Sequence, residues 1–435
     1  MTQTKQRRSH GATMKVLALA IGAFGSTASH AAAFQLLEGN ASGLGNAYAG
    51  SAAVAEDAST VFFNPAGMTL LPGRNVAFSV DLVRPQAEFS DRGSTGPGGA
   101  PGVGGNGGDA GDWAAVPAGY MTWQLTDRLF AGLGVGAPFG LKTEYPNSWV
   151  GRFHAVKSEL KTVNINPSIA FKVSDVFSVG FGVNFQRIDA DLTKVATAGG
   201  GSALLGRIEG DDTAWGWNIG AMYQLSPTTR LGLAYRSKID YELKGTSKFT
   251  ALNAAGALAL PGVTAARGGN VTADVELPEV ATFSVHQQLS ERWTMLGDVS
   301  WTGWSSLQEL SINRTDGVNV TTEDLRWRDT WRVAFGGTYA YTDALKLKFG
   351  LAWDQTPVRD ATRLPRVPDE DRFWLSFGLQ WKPTADSAVD VGYAHIFVKD
   401  AKLNNGGTTP LTTGRIVGEY ENSVDILGVQ YSTRF

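Results

Sequence analysis

Past the first thirty-odd residues the chain keeps three histidines, His154, His286 and His395, and it has no cysteine. Imidazole and thiolate are the side chains that most often bind metals or act as base and nucleophile, so these counts limit the chemistry. Strand alternation puts His395 on one face with Tyr393 and Phe397, His286 on the opposite face with Ser284, and His154 in a loop. No two stand at metal-ligand spacing, and no serine and histidine come together as a nucleophile and base. The stretch "GVGGNG" at 102–107 has the G-x-G-x-x-G spacing, but it sits in a run with ten glycines between 93 and 111 and opens no helix. It reads as a flexible loop rather than a phosphate cradle. Neither an enzyme nor a cofactor or metal site is expected.

Cations close to apolar residues remain, and their meaning depends on what carries them. Lys5, Arg7, Arg8 and Lys15 precede the apolar run 16–24 and then small residues, the layout of a cleavable export signal over 1–33, cut after Ala31 or Ala33. Beyond it no stretch approaches the roughly 18 apolar residues of a membrane helix. A net charge of −3 gives no footprint for nucleic acid. The unusual counts are 53 glycines with 21 Phe, 13 Trp and 11 Tyr, which suit thin strands with aromatic borders.

Alternation at period two tests this. In 373–381, Phe373, Leu375, Phe377, Leu379 and Trp381 face one way, and Trp374, Ser376, Gly378 and Gln380 the other. In 345–354, Lys346, Lys348 and Asp354 share a face, which must be the lumen because charges facing lipid are costly. Strands are expected at 74–84, 114–126, 129–145, 159–174, 177–195, 212–226, 229–249, 272–290, 293–312, 325–342, 345–358, 371–384, 388–403 and 418–435. Tight turns such as "TDR", "SDV" and "SER" alternate with longer polar loops. The fold class is therefore all-β, a 14-stranded antiparallel transmembrane barrel in a Gram-negative outer membrane. In the third strand Leu133, Val135, Ala137 and Phe139 are assigned to lipid, and Gly132, Gly134, Gly136 and Gly140 to the lumen. Pro138 has no N–H to donate, so pairing should fail near Pro138, Phe139 and Gly140. Such a break lies either just beyond the bilayer or as a gap in the wall.

"AFQLLEGNASGLGNAYAG", the NPA at Asn64, Pro65 and Ala66, "PFGLKTEY", "LPEVATFSVHQQLSERWTMLGDVSWTGWSSLQEL", "WRDTWRVAFGGTYAY", "DEDRFWLSFGLQ" and the final aromatic strand resemble the FadL family of long-chain fatty acid transporters. The resemblance implies an N-terminal hatch over 34–73 inside a barrel over 74–435. It implies a ligand pocket with Phe34 and Leu192, and carboxylate-gripping cations at Lys194 and Arg328. It favours a wall gap at Gly140 with the NPA segment packed beside it. It also implies passive uptake of long-chain fatty acids with lateral exit, or alternatively of neutral aromatic or aliphatic hydrocarbons. The partners implied are the hydrophobic ligand, outer membrane lipids with lipopolysaccharide, and the barrel assembly machinery, for which Phe435 resembles the recognition signal.

Overall fold

The computed structural model describes residues 33–406 and 410–435. The export signal expected over 1–33, apart from Ala33, lies outside the described residues. Among them twenty strands form one sheet: β1 (Arg74–Asp91), β2 (Ala114–Gln124), β3 (Leu129–Gly136), β4 (Gly140–Glu144), β5 (Lys157–Lys172), β6 (Phe177–Ala196), β7 (Leu204–Ser226), β8 (Thr229–Arg236), β9 (Ile239–Ala251), β10 (Gly269–Leu277), β11 (Val280–Gln288), β12 (Trp293–Thr302), β13 (Glu309–Arg314), β14 (Asn319–Asp324), β15 (Thr330–Thr342), β16 (Leu345–Asp354), β17 (Arg372–Thr384), β18 (Ser387–Val398), β19 (Ala401–Asn405) and β20 (Ile416–Arg434). Six passes are broken into two pieces, at β3/β4, β8/β9, β10/β11, β12/β13, β14/β15 and β18/β19. Fourteen antiparallel passes result, closed where β20 pairs β1 from Asn75↔Arg434 to Asp91↔Gly418. Short turns gather at the end that carries both the N-terminal segment and the C-terminus. Long loops gather at the other end, which faces outward.

The wall follows the expected alternation where it meets lipid. Phe373, Phe377 and Trp381 are exposed on the outside, while Trp374, Ser376 and Gln380 are buried inside. Several strands run further outward than their apolar patterns reach, β1 to Asp91 and β7 back to Leu204. Above the lipid-facing band the outer face is laced by charge. Lys157 pairs with Glu159 at 2.6 Å and with Asp191 at 2.8 Å, and Arg207 pairs with Asp191 at 2.9 Å. Cross-strand pairs of this kind extend a sheet into water.

The third pass contains a register slip. Gly136 faces Asn164 and Gly140 faces Lys161, so four steps along this pass match three on β5. One extra residue reverses the alternation. This corrects the lipid-facing assignment of Phe139 and the inward assignment of Gly140. Phe139 is buried inside against Phe34 and Trp304, Leu141 follows it inward, and Gly132 and Gly134 still face in below the slip.

Residues 33–73 fill the lumen. Two short helical turns, α1 (Ala41–Leu44) and α2 (Thr60–Phe63), and a 3-10 turn over Pro65–Leu70 punctuate the segment. Asn64 accepts from the Ala66 N–H at 3.0 Å to start the last of these, and its amide donates to the Ala52 and Ala221 carbonyls at 2.6 and 3.0 Å. Lys348 Nζ donates to the Ser42 carbonyl at 2.9 Å and meets Glu56 at 3.0 Å and Asp390 at 3.2 Å. Paired glycines on facing strands, Gly180↔Gly220, Gly336↔Gly350 and Gly378↔Gly392, let the segment's backbone touch the wall. A Cβ on Gly350 would overlap the Asn46–Ala47 peptide. Gly350→Val is therefore expected to leave a folded, heat-modifiable barrel but to dislodge the segment, raising single-channel ion conductance several-fold. Unchanged conductance would show that this contact does not hold the segment in the pore.

Candidate ligand-binding site

Broken strands build the site. The interruption between β12 and β13 turns Trp304 inward and that between β14 and β15 turns Trp327 inward, and both rings meet Phe34 at centroid distances of 4.9 and 5.6 Å. Phe139 completes the cluster at 6.1 Å. Outward of these rings lies a cavity of about 120 Å³ lined by Phe34, Leu141, Ile188, Leu192, Leu243 and Trp327 among other apolar side chains. On the periplasmic side lies a more polar cavity of about 90 Å³ that reaches Gln35, Pro138, Arg236 and Arg332. The aromatic cluster separates the two.

At its outer end the apolar cavity adjoins a smaller one that shares Leu192, Ile208, Glu323 and Arg366 with it and adds Lys194 and Arg267. Leu192 and Lys194 are two apart on β6, which places both inward. Lys194 Nζ donates to Thr321 Oγ1 at 3.0 Å and meets Glu323 Oε1 at 3.3 Å. Arg366 projects from the loop between β16 and β17 and donates to Ser158 Oγ at 2.9 Å and to the Lys157 carbonyl at 3.2 Å. Burial makes its charge less favourable, and Glu323 offsets part of this. Lys194, Arg267 and Arg366 therefore line, together with Glu323, the end of an apolar slot. An incoming anion could complete that arrangement.

Arg328 is placed elsewhere. It lies between β14 and β15, its Nε donates to the Thr356 carbonyl at 3.1 Å, and it lines none of these cavities. Arg366 stands with Lys194 instead. A loop has no alternation, so period two gave no sign of it; the one available signal was an arginine fixed between Pro365 and Pro368.

Where the third pass breaks, the N-terminal chain supplies the missing pairing. Gln35 and Phe139 form an antiparallel bridge, with Leu36 N–H donating to the Pro138 carbonyl and Gly140 N–H to the Phe34 carbonyl, both at 2.8 Å. Residues 34–36, rather than the NPA turn, occupy this edge. Pro65 and Ala66 pack against Gly180, and Asn64 against Gly220, although Pro65 shares the polar cavity with Pro138 and Phe139. The Phe435 ring is exposed beside the β1–β20 seam, where the residue's backbone pairs with Arg74. Among the histidines, His395 meets Asp425 at 2.8 Å on the outer face and His286 lines a polar periplasmic cavity. His154 is buried beneath the outer loops, where burial lowers its pKa to about 4.

Glu38 is 1 % exposed, and neither of its carboxyl oxygens has a hydrogen-bond partner among the described residues. Burial raises its pKa from 4.5 to about 7, against the pull of nearby backbone N–H groups and of Arg372 and Arg332. A carboxyl with a raised pKa favours its seat while protonated, so that contribution is whole below pH 4.5 and is lost as pH rises towards 7. The loss amounts to roughly 3 kcal/mol. Hydrogen exchange of residues 34–40 should accelerate by one to two orders of magnitude between pH 4.5 and 8 beyond the intrinsic rate change. Glu38→Gln should remove the excess, and a profile unchanged by that substitution would refute the assignment.

The chain matches the outer membrane protein transport protein family (OMPP1/FadL/TodX) over residues 22–435. It is 31% identical over 440 residues to the 47 kDa outer membrane protein of Pasteurella multocida, covering 97% of this chain and 98% of that one. It is 29% identical over 425 residues to the long-chain fatty acid transport protein of Escherichia coli, covering 91% and 94%. A Pseudomonas aeruginosa FadL homologue of known crystal structure superposes with a TM-score of 0.88 at 27% identity, over 93% of this chain and 100% of that one. With its closed barrel and apolar slot, the chain belongs to the OMPP1/FadL/TodX family of outer membrane transporters for hydrophobic compounds.

Proposed function

We propose that this transporter carries long-chain fatty acids passively across the outer membrane. The observation that carries the reading is the apolar slot ending at Lys194, Arg267 and Arg366, where Glu323 is the one carboxylate among the described residues that line the outer cavity. A neutral hydrocarbon would have no use for that end. Each buried methylene gives about 0.8 kcal/mol, so a tail of about fifteen carbons brings roughly 12 kcal/mol of gross transfer energy before ordering costs. Capture is therefore easy, and release requires that the site be disrupted. Residues 34–73 act as the hatch. Withdrawal of Phe34 joins the slot to the inner cavity and at the same time vacates the broken edge at Pro138–Gly140. The ligand then leaves sideways into the outer leaflet, where its tail is already stable. The long-chain fatty acid relative named above supports this substrate class.

Lys194→Ala combined with Arg366→Ala should weaken binding of a C18 fatty acid at least tenfold and that of a C18 alkane less than threefold. Equal losses would assign the slot to neutral hydrocarbons. For the exit, Gln35→Cys with Phe139→Cys places two thiols at directly opposed, closely spaced positions of an antiparallel pair. Oxidation should stop uptake and reduction restore it, with fatty acid binding retained in both states. Full uptake in the oxidised protein would rule out release at this edge.

A further inference from the structure

The ladder between β2 and β3 runs from Gln124↔Phe130 to Gly119↔Val135, and among the described residues no ladder joins β2 to β4. Above this separation one ion pair spans it. Lys142 on β4 places Nζ 3.0 Å from Asp112 Oδ2, just ahead of β2, and 3.9 Å from Glu144. Leu141 lines the slot and Thr143 Oγ1 donates to the Arg366 carbonyl at 3.2 Å, so Lys142 between them points outward. Its height is set by its neighbours around the wall. Val80 and Leu82 on β1 and Ile165 and Ile169 on β5 are exposed to lipid below, whereas Arg84 and Lys161 begin the charged belt, to which Glu159, opposite Lys142 on β5, also belongs. The ammonium thus stands where hydrocarbon gives way to water, directly over the break. Its stem is well covered, with the side chain 17 % exposed, whereas the Asp112 side chain is 62 % exposed. A carboxylate so open to solvent is a weak partner that another can replace. Lys161 differs, since its partner Glu159 is largely covered and also grips Lys157.

We propose that Lys142 receives the carboxylate of the departing fatty acid at the mouth of the wall, exchanging Asp112 for the ligand while the tail slides into the outer leaflet. The assignment rests on the lateral exit proposed above. It makes Lys142 a positioning residue for release, with no part in capture in the slot. A headgroup leaving a dry site otherwise enters the hydrocarbon edge unpaired, and a fixed cation at the boundary removes that penalty.

The test uses the full-length protein in vesicles, with oleate and toluene as probes. Lys142→Gln should slow oleate uptake at least fivefold, leave toluene uptake within a factor of two, and leave the affinity of the purified protein for oleate unchanged. Lys142→Arg should restore most of the rate, and Lys142→Glu, which repels both Asp112 and the ligand, should slow oleate further without slowing toluene. Normal oleate uptake by Lys142→Gln, or equal losses for oleate and toluene, would overturn the role of Lys142. Undiminished uptake by the oxidised Gln35→Cys/Phe139→Cys protein would instead overturn the exit route beneath it, so the two failures are distinguishable.

Discussion

A wall facing lipid cannot leave peptide groups unpaired, and at Pro138 this chain meets the demand with its own N-terminal end. The proline and the extra residue beside it stop the third pass from continuing its ladder, and the backbone of Phe34–Leu36 takes the exposed edge. Much of the interior follows from that pairing. It fixes Phe34 among Trp304, Trp327 and Phe139, and so divides the lumen into an apolar and a polar compartment. The same hydrogen bonds that pair the broken edge also position Phe34 in the partition.

Polarity is graded along the axis in a way that suits an amphiphile. Cations lie at the outer end of the slot, hydrocarbon in its middle, and beyond the aromatic rings a mixed space that holds Gln35, Asn218 and several hydroxyls together with Arg236, Arg332, Asp298 and Asp354. The N-terminal segment combines apolar packing of Leu36, Leu44, Tyr48, Val61 and Met68 against the wall with two polar anchors, the Lys348 cluster and the Asn64 amide. Polar contacts exchange with water at modest net cost.

How far the sequence revealed this depended on which physical rule governed each residue. Where lipid lies on one side of a strand, alternation is enforced, and the faces of 345–354 and 373–381 could be read directly. Where the strand rises above the bilayer that pressure ends, and salt-bridged pairs such as Lys157 with Asp191 carried strands on without an apolar signature. Phe139 was misassigned because Pro138 marked a break in pairing but not the single inserted residue that reverses parity beyond it. Arg366 was invisible because its position comes from a loop folding back over the barrel mouth, while Arg328, on a favourable parity, is tied to the Thr356 carbonyl.

The paired glycines at the waist also bear on the order of assembly. Glycine is a poor strand former, so Gly180↔Gly220, Gly336↔Gly350 and Gly378↔Gly392 give the empty cylinder a belt with little intrinsic strength. The seam that closes it joins Asn75 to Arg434, the two ends of the barrel sequence, and carries the largest loop-closure entropy. The segment that stiffens the belt immediately precedes β1 in the chain. It must wait, already beside the forming wall, until the last strand arrives. Maturation is then a race between sealing the seam and capturing the segment, and a cylinder that seals first is left both soft at the waist and open to ions.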